Sequence, residues 1–197
     1  MKKSSMEGEL TAVDDFQLIE RAKKGDLSAY SKLITVYSPI VERFAYQMGN
    51  HIDNIPDISQ EVFIRVYRFI DGFTHAKFTT WLYKITLNVS RDFKRKENQH
   101  AKRLQKIMNE PGEGSVQESG QLIREEEDRV LHECIQELDD KYRAPIILYY
   151  FHERKYEEIA DILSVNLSTI KTRILRGKGL LKKLLEEAEN GEGTLNG

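Results

Sequence analysis

The stretch Tyr156 to Leu181, YEEIADILSVNLSTIKTRILRGKGLL, constrains this chain more than any other. It reads as two short helices joined by a tight turn. In the first, Ile159, Ile162 and Leu163 recur at one-, three- and four-residue steps and give one apolar face. Ser164-Val165-Asn166 breaks that pattern, and Asn166 is suited to cap the second helix. In that helix Leu167, Ile170, Ile174 and Leu181 fall on one side, and Thr169, Lys171, Thr172, Leu175, Arg176 and Lys178 on the other. Between Asn166 and Leu185 stand Lys171, Arg173, Arg176, Lys178, Lys182 and Lys183, with no acid among them. A basic helix with an apolar back, coming after a capped turn, is the layout of a helix-turn-helix that reads duplex DNA. Amphipathic helix pairs are common, however, and a basic face is usually a solvated one. The pattern favours DNA binding, and the rest of the chain has to decide.

The formal net charge is −2, so there is no global basic field, and a nucleic-acid site has to be a local patch. Only four Pro and 12 Gly, with Glu, Lys, Leu and Ile plentiful, favour an all-α protein. The single cysteine, Cys134, excludes an intramolecular disulfide and a cysteine-based metal cluster. It lies on the apolar side of a helical pattern, where a packed, inert thiol is expected. No apolar run approaches the roughly 18 residues of a membrane span. The start, MKKSSMEGELTAVDD, has no apolar core of the signal-peptide kind, so a reduced, cytoplasmic setting is expected.

Taken in order, residues 1–13 read as a loose arm. Helical signals begin at Asp14 or Asp15. Gly25 closes the first helix and Asp26 caps the next. The second runs from Leu27 to Met48, with Pro39 expected to kink or break it, and Gly49-Asn50 ends it. Pro56 fits the first turn of a third helix, and Gly72 stops it. A fourth starts at about Thr79, with Trp81, Leu82, Ile85, Val89 and Phe93 on one side, and grows steadily more basic. Aromatic residues Phe73, Phe78, Trp81 and Tyr83 precede that charge. Charge that tracks phosphates beside rings that stack on bases suits single-stranded nucleic acid, although Trp81 itself reads as core.

Residues 109–128 hold Pro111, three glycines and a run of acids ending in Glu125, Glu126, Glu127 and Asp128, the composition of a flexible acidic linker. The expected organisation is therefore all-α with two small helical domains: an arm at 1–13, one domain at 14–98, a linker at 99–128, a second domain at 129–185 and an acidic tail at 186–197. In the second domain Asp139 or Asp140 caps a helix in which Pro145 sits awkwardly. The five histidines are scattered, without metal-ligand spacing, and there is no phosphate-binding glycine loop and no nucleophile elbow. No enzyme, cofactor or metal site is expected.

At this point the residues carry a family resemblance. DISQEVFIRVYRFIDGF (57–73) followed by FTTWLYKITLNVSRDFKRKE (78–97) resembles region 2 of bacterial RNA polymerase sigma factors, most of all the small extracytoplasmic-function class. LIERAKKGDLSAYSKLITVY (18–37) is similar to the start of that region, and the segment 141–181 to region 4. The resemblance implies two all-α domains on a mobile linker, with core RNA polymerase and promoter DNA as partners, and the class often has an anti-sigma partner. It implies that Asp57, Gln60, Glu61, Phe63, Ile64 and Arg65 lie on the helix that docks on the polymerase clamp helices. It implies a −10 site in which the loop Phe73, Thr74, His75, Lys77 holds a base and Asn88 lines its pocket. Lys84, Arg91, Lys94 and Arg95 would take the phosphates. Thr169, Lys171, Thr172, Arg173, Leu175 and Arg176 would face the −35 major groove. The chain departs from the family pattern in three places. The −10 loop lacks the usual Arg-Gly start, Ser164 and Ser168 stand where glycine is frequent, and Gly177 and Gly179 each weaken the recognition helix by about 1 kcal/mol relative to Ala. Two other readings stay open. A free-standing helix-turn-helix regulator explains 156–181 but gives 57–95 no role, and a sequestering protein that uses its helices for protein contact alone leaves both basic patches idle.

Overall fold

A computed structural model describes residues 12–74, 77–108 and 126–192. It holds eight α-helices in chain order: α1 (Ala12–Lys23), α2 (Leu27–Gln47), α3 (Ile55–Phe69), α4 (Phe78–Met108), α5 (Glu126–Glu137), α6 (Asp140–Tyr150), α7 (Tyr156–Leu163) and α8 (Leu167–Glu192). Single 3-10 turns precede and follow α3, and no strand occurs among the described residues. Residues 1–11 of the expected arm, the acidic stretch 109–125 and the last five residues lie outside the described residues.

Local chemistry sets the boundaries. Gly25 takes a φ of +82°, which costs a residue without Cβ nothing, and turns the chain between α1 and α2. The Asp26 carboxylate then accepts from the Ser28 and Ala29 amides at 2.9 and 3.1 Å, satisfying two otherwise open donors. Those bonds, with the Arg21 guanidinium, hold its pKa below the usual carboxylate value. Gly49, at φ +85°, ends α2 in the same left-handed way. Asp139, rather than Asp140, caps α6 by accepting from the Lys141 amide at 3.1 Å.

Pro39 does not break α2, which continues helical through it. Pro39 and Thr35, the residue whose carbonyl loses a donor, are both exposed, so water replaces the missing bond. Pro145 is likewise inside α6. α4 runs on to Met108, well into the stretch expected as linker, because its Lys- and Gln-rich continuation is good helix former.

Two apolar cores organise these helices. The first lies among α1 to α4 and contains Leu33, Val41, Ile58, Val62, Val66, Leu82 and Val89, each almost fully buried. The second does not respect the domain boundary. Phe44 and Met48 of α2 and Tyr83 and Leu87 of α4 pack in one cluster with Ile135, Ile147, Leu148, Ile159, Ile162, Ile170 and Ile174. The four N-terminal residues face away from the first core, and the second domain covers them. Burying one such side chain contributes about 1.5–3 kcal/mol. The two helical units are thus packed against each other, which the linker between them does not suggest.

Cys134 is buried and burial raises its thiol pKa, as a packed thiol requires.

Candidate nucleic-acid interface

The helix-turn-helix forms as the spacing predicts. α7 ends at Ser164, which adopts the left-handed conformation at φ 53° and ψ 48°, a conformation glycine enters more cheaply. The Asn166 carbonyl accepts from the Ile170 amide as α8 begins. Ile170 and Ile174 are buried at 0% and 4% exposure, so the opposite side of α8 is turned outward. Lys171, Thr172, Leu175 and Arg176 are exposed there, and Thr169 and Arg173 half-buried. The Thr172 hydroxyl donates to the Ser168 carbonyl at 3.0 Å, so its methyl group is what α8 presents beside Leu175, itself 74% exposed. Lys141 and Tyr142 at the start of α6 line the same concave surface as Ser168, Thr169, Thr172, Arg173 and Arg176. Nothing in the local sequence ties those two residues to α8, and only the fold brings them there.

Gly177 has a purpose that helix propensity does not reveal. A Cβ built on it would lie 3.0 Å from Ile146 Cγ1 and 3.3 Å from Tyr142 Cβ. It lets α8 approach α6 closely, whereas a Cβ on Gly179 would meet nothing within 4 Å.

On α4, Lys84, Asn88, Arg91 and Arg95 recur at steps of three and four and are all exposed, forming one polar stripe. Arg95 pairs with Asp92 of its own helix at 3.1 Å. Phe73, Phe78 and Trp81 gather at the N-terminal end of this helix, with ring centroids 5.2 to 5.9 Å apart. Trp81 is partly buried against the first core, as its spacing predicts. Thr74 and Lys77 are exposed, and His75 lies outside the described residues. Lys94 departs from the expected phosphate-facing position. It is half-buried, and its Nζ would be 2.9 Å from a Cβ on Gly49, beside Arg143. Burial first, and then the Arg143 charge, lower its pKa.

On α3, Asp57, Gln60 and Ile64 are exposed, whereas Glu61 and Arg65 are half-buried and bonded to each other at 2.7 Å. Phe63 is buried at 5% exposure and belongs to the first core. It therefore forms the floor of a groove of about 500 Å³ that Tyr30, Ile34, Gln60, Ile64, Tyr67 and Arg68 also line. Tyr67 is 49% exposed and one helical step beyond Ile64, so spacing alone could have placed it. Spacing could not have placed Tyr30, which comes from α2.

Fold and site together define a two-unit helical protein with a duplex-reading helix in one unit and a basic-aromatic helix in the other. Family models described as "Sigma-70 region 2" and "Sigma-70, region 4" match residues 33–100 and 128–181. The ECF RNA polymerase sigma factor SigW of Bacillus subtilis is 33% identical over 86% of this chain and 95% of its own length. The ECF RNA polymerase sigma-E factor of Escherichia coli is 28% identical over 83% of this chain and 90% of its own. Among solved structures, CnrH in complex with the cytosolic domain of CnrY has the same fold, with a TM-score of 0.68 at 23% identity, covering 88% of this chain and 97% of that one. The chain belongs to the extracytoplasmic-function class of the sigma-70 family, and it is an RNA polymerase sigma factor.

Proposed function

We propose a division of labour among its surfaces. α3 presents Asp57, Gln60 and Ile64 to core RNA polymerase, with the Tyr30–Tyr67 groove beside them receiving apolar side chains of the partner. Glu61 and Arg65 fix each other and the face they border. α8 enters the −35 major groove. There Lys171, Arg173 and Arg176 supply donors to guanine edges and phosphates, and Leu175 with the Thr172 methyl supplies apolar contact to thymine methyl groups. Thr169 and the neighbouring Lys141 and Tyr142 border that contact.

At the −10 element the strand is opened. Thr74, His75 and Lys77 lie at one end of the α4 stripe with Phe73, and Asn88 offers an amide to an unstacked base, since an amide reads a base edge through one donor and one acceptor. Lys84, Arg91, Lys94 and Arg95 take the adjoining phosphates. The factor works in the cytoplasm with core polymerase, carries no catalytic group of its own, and an anti-sigma protein can restrain it. A free-standing regulator would leave the α3 face and the α4 stripe without use.

The observation that carries this reading is the coexistence of two outward basic surfaces, on α4 and α8, with an exposed Ile64–Tyr67 groove. Arg176→Ala tests it. Losing a bidentate contact to guanine costs about 1–3 kcal/mol at one base pair, so transcription falls on the intact promoter and the mutant tolerates a different base at one −35 position. Equal loss on every −35 variant would make Arg176 a phosphate contact instead.

A further inference from the structure

The cations of the α4 stripe do not all face open solvent. Lys77 Nζ lies 2.8 Å from Glu158 Oε1 of α7. Arg91 holds Asp140 of α6 through two nitrogens, at 2.6 and 3.1 Å to the same oxygen. Lys94 sits beside Gly49 and Arg143 at the seam between the two units. Thus three of the groups assigned to −10 phosphates are engaged by the −35 unit. A carboxylate at 2.6 to 2.8 Å from a lysine or a forked guanidinium has the charge and the acceptor geometry of a phosphate oxygen.

These pairs are half-exposed and hold little by themselves. The seam beneath them is what keeps the units together. His152, which comes just after α6, is buried between them. Its Nδ1 lies 2.8 Å from the Tyr83 hydroxyl of α4, and its Nε2 lies 2.8 Å from Gln47 Oε1 of α2. Gln136 donates to the Gln47 carbonyl at 2.7 Å, and Arg143 to the Met48 carbonyl at 3.3 Å, so the C-terminal end of α2 is held by donors from the second unit.

This closed arrangement does not fit a promoter. Elements at −10 and −35 are about 25 base pairs apart, or about 85 Å of duplex at about 3.4 Å per pair. A compact chain of this length is only about 40 Å across. With α7 packed directly on α4, both surfaces cannot reach their elements at once.

We propose that the free chain inhibits itself, with Asp140 and Glu158 of the −35 unit occupying the −10 unit's Arg91 and Lys77 in place of DNA phosphates. The inference rests on the reading of Lys77 and Arg91 as strand contacts. Docking on core polymerase then separates the units, breaks both pairs and frees the stripe for the melted strand.

The test uses the full chain in two measurements. The first is the distance between labels on α2 and α8, at Lys32→Cys and Lys178→Cys in a Cys134→Ser background. The expected distance is short in the free chain and longer with core polymerase bound. The long distance already present in the free chain would overturn closure. The second is binding of a short mixed-sequence DNA single strand over a salt series without polymerase. Asp140→Asn with Glu158→Gln removes both carboxylate charges, and Glu157→Gln with Asp161→Asn removes two exposed or half-exposed charges nearby as a control. Only the first pair should steepen the slope of log affinity against log salt, by about 1.4, or about 0.7 for each phosphate newly neutralised. Equal slopes for the two pairs would overturn the competition. If the slope steepens but Lys77→Ala with Arg91→Ala does not reverse it, the failure lies in the strand assignment of those two residues, and the proposal falls with it.

Discussion

The Tyr83 hydroxyl of α4 lies 2.8 Å from Nδ1 of His152, a contact between residues of the two different units. Burial raises the Tyr83 pKa to about 12, so the phenol keeps its proton and donates it to the imidazole. His152 stays neutral, with its Nε2–H directed to Gln47 Oε1. Burial first, and then the charges of Arg43 on α2 and Arg154 in the loop after α6, lower its pKa to about 3. Glu158 of α7 is the acid near this cluster, facing Tyr83. His132, stacked on Tyr46 across the same seam, is also shifted down, by burial and then Arg143.

A lowered histidine pKa means that the packed state binds fewer protons than the open or unfolded one, which fixes the sign of the pH effect. The contribution of His152 is complete above the ordinary value near 6.5 and is lost as pH falls from there toward about 3, by about 1.4 kcal/mol per pH unit. The thermal midpoint should fall between about pH 7 and about pH 5, and His152→Gln should flatten that fall without abolishing it, since His132 acts in the same direction. A midpoint equally pH-dependent in the mutant would assign the effect to other groups.

The two glycines of α8 should respond oppositely to the same substitution. Gly179→Ala adds a methyl group to open space and should stabilise by about 1 kcal/mol. Gly177→Ala drives a methyl group against Ile146, which is fully buried and has nowhere to move. It should destabilise by about 1 kcal/mol or more, since overpacking outweighs the gain in helix propensity. Denaturant midpoints of the two variants, measured side by side, decide this.

Gln60→Ala with Ile64→Ala removes two exposed side chains from α3 and leaves the first core intact. The folded chain should keep its helical content and thermal midpoint to within about 0.5 kcal/mol, while its affinity for core polymerase drops at least tenfold, about 1.4 kcal/mol. Unchanged co-elution with limiting core polymerase would remove this face from the docking surface.

Much of this is legible in residue order. Apolar steps of three and four place the helices, and Gly25, Asp26, Gly49 and Pro56 mark their ends, because caps and turns are local chemistry. The outward face of α8 is set by Ile170 and Ile174 alone. Three features are not legible, each for a long-range reason. Gly177 looks like a weak point because its neighbour, Ile146, is far away in sequence. Lys94 looks like its neighbours on a basic helix, yet the end of α2 and Arg143 draw it into the seam. Phe44, Met48, Tyr83 and Leu87 read as members of one domain's core, and only the packed structure reveals that the second domain covers them. Periodicity says which side of a helix is buried, but not what buries it.

The central claim is that this chain gives core polymerase its promoters and opens them. Run-off transcription with purified core polymerase on fragmented genomic DNA tests it directly, with wild-type chain, Asn88→Ala and no added chain compared. Defined transcripts should appear only with the wild-type chain. Asn88→Ala should lose them on duplex templates and regain them when the −10 region is supplied as a pre-melted bubble, since unstacking the base costs a few kcal/mol that the bubble no longer demands. An identical transcript pattern with and without the wild-type chain would contradict the account.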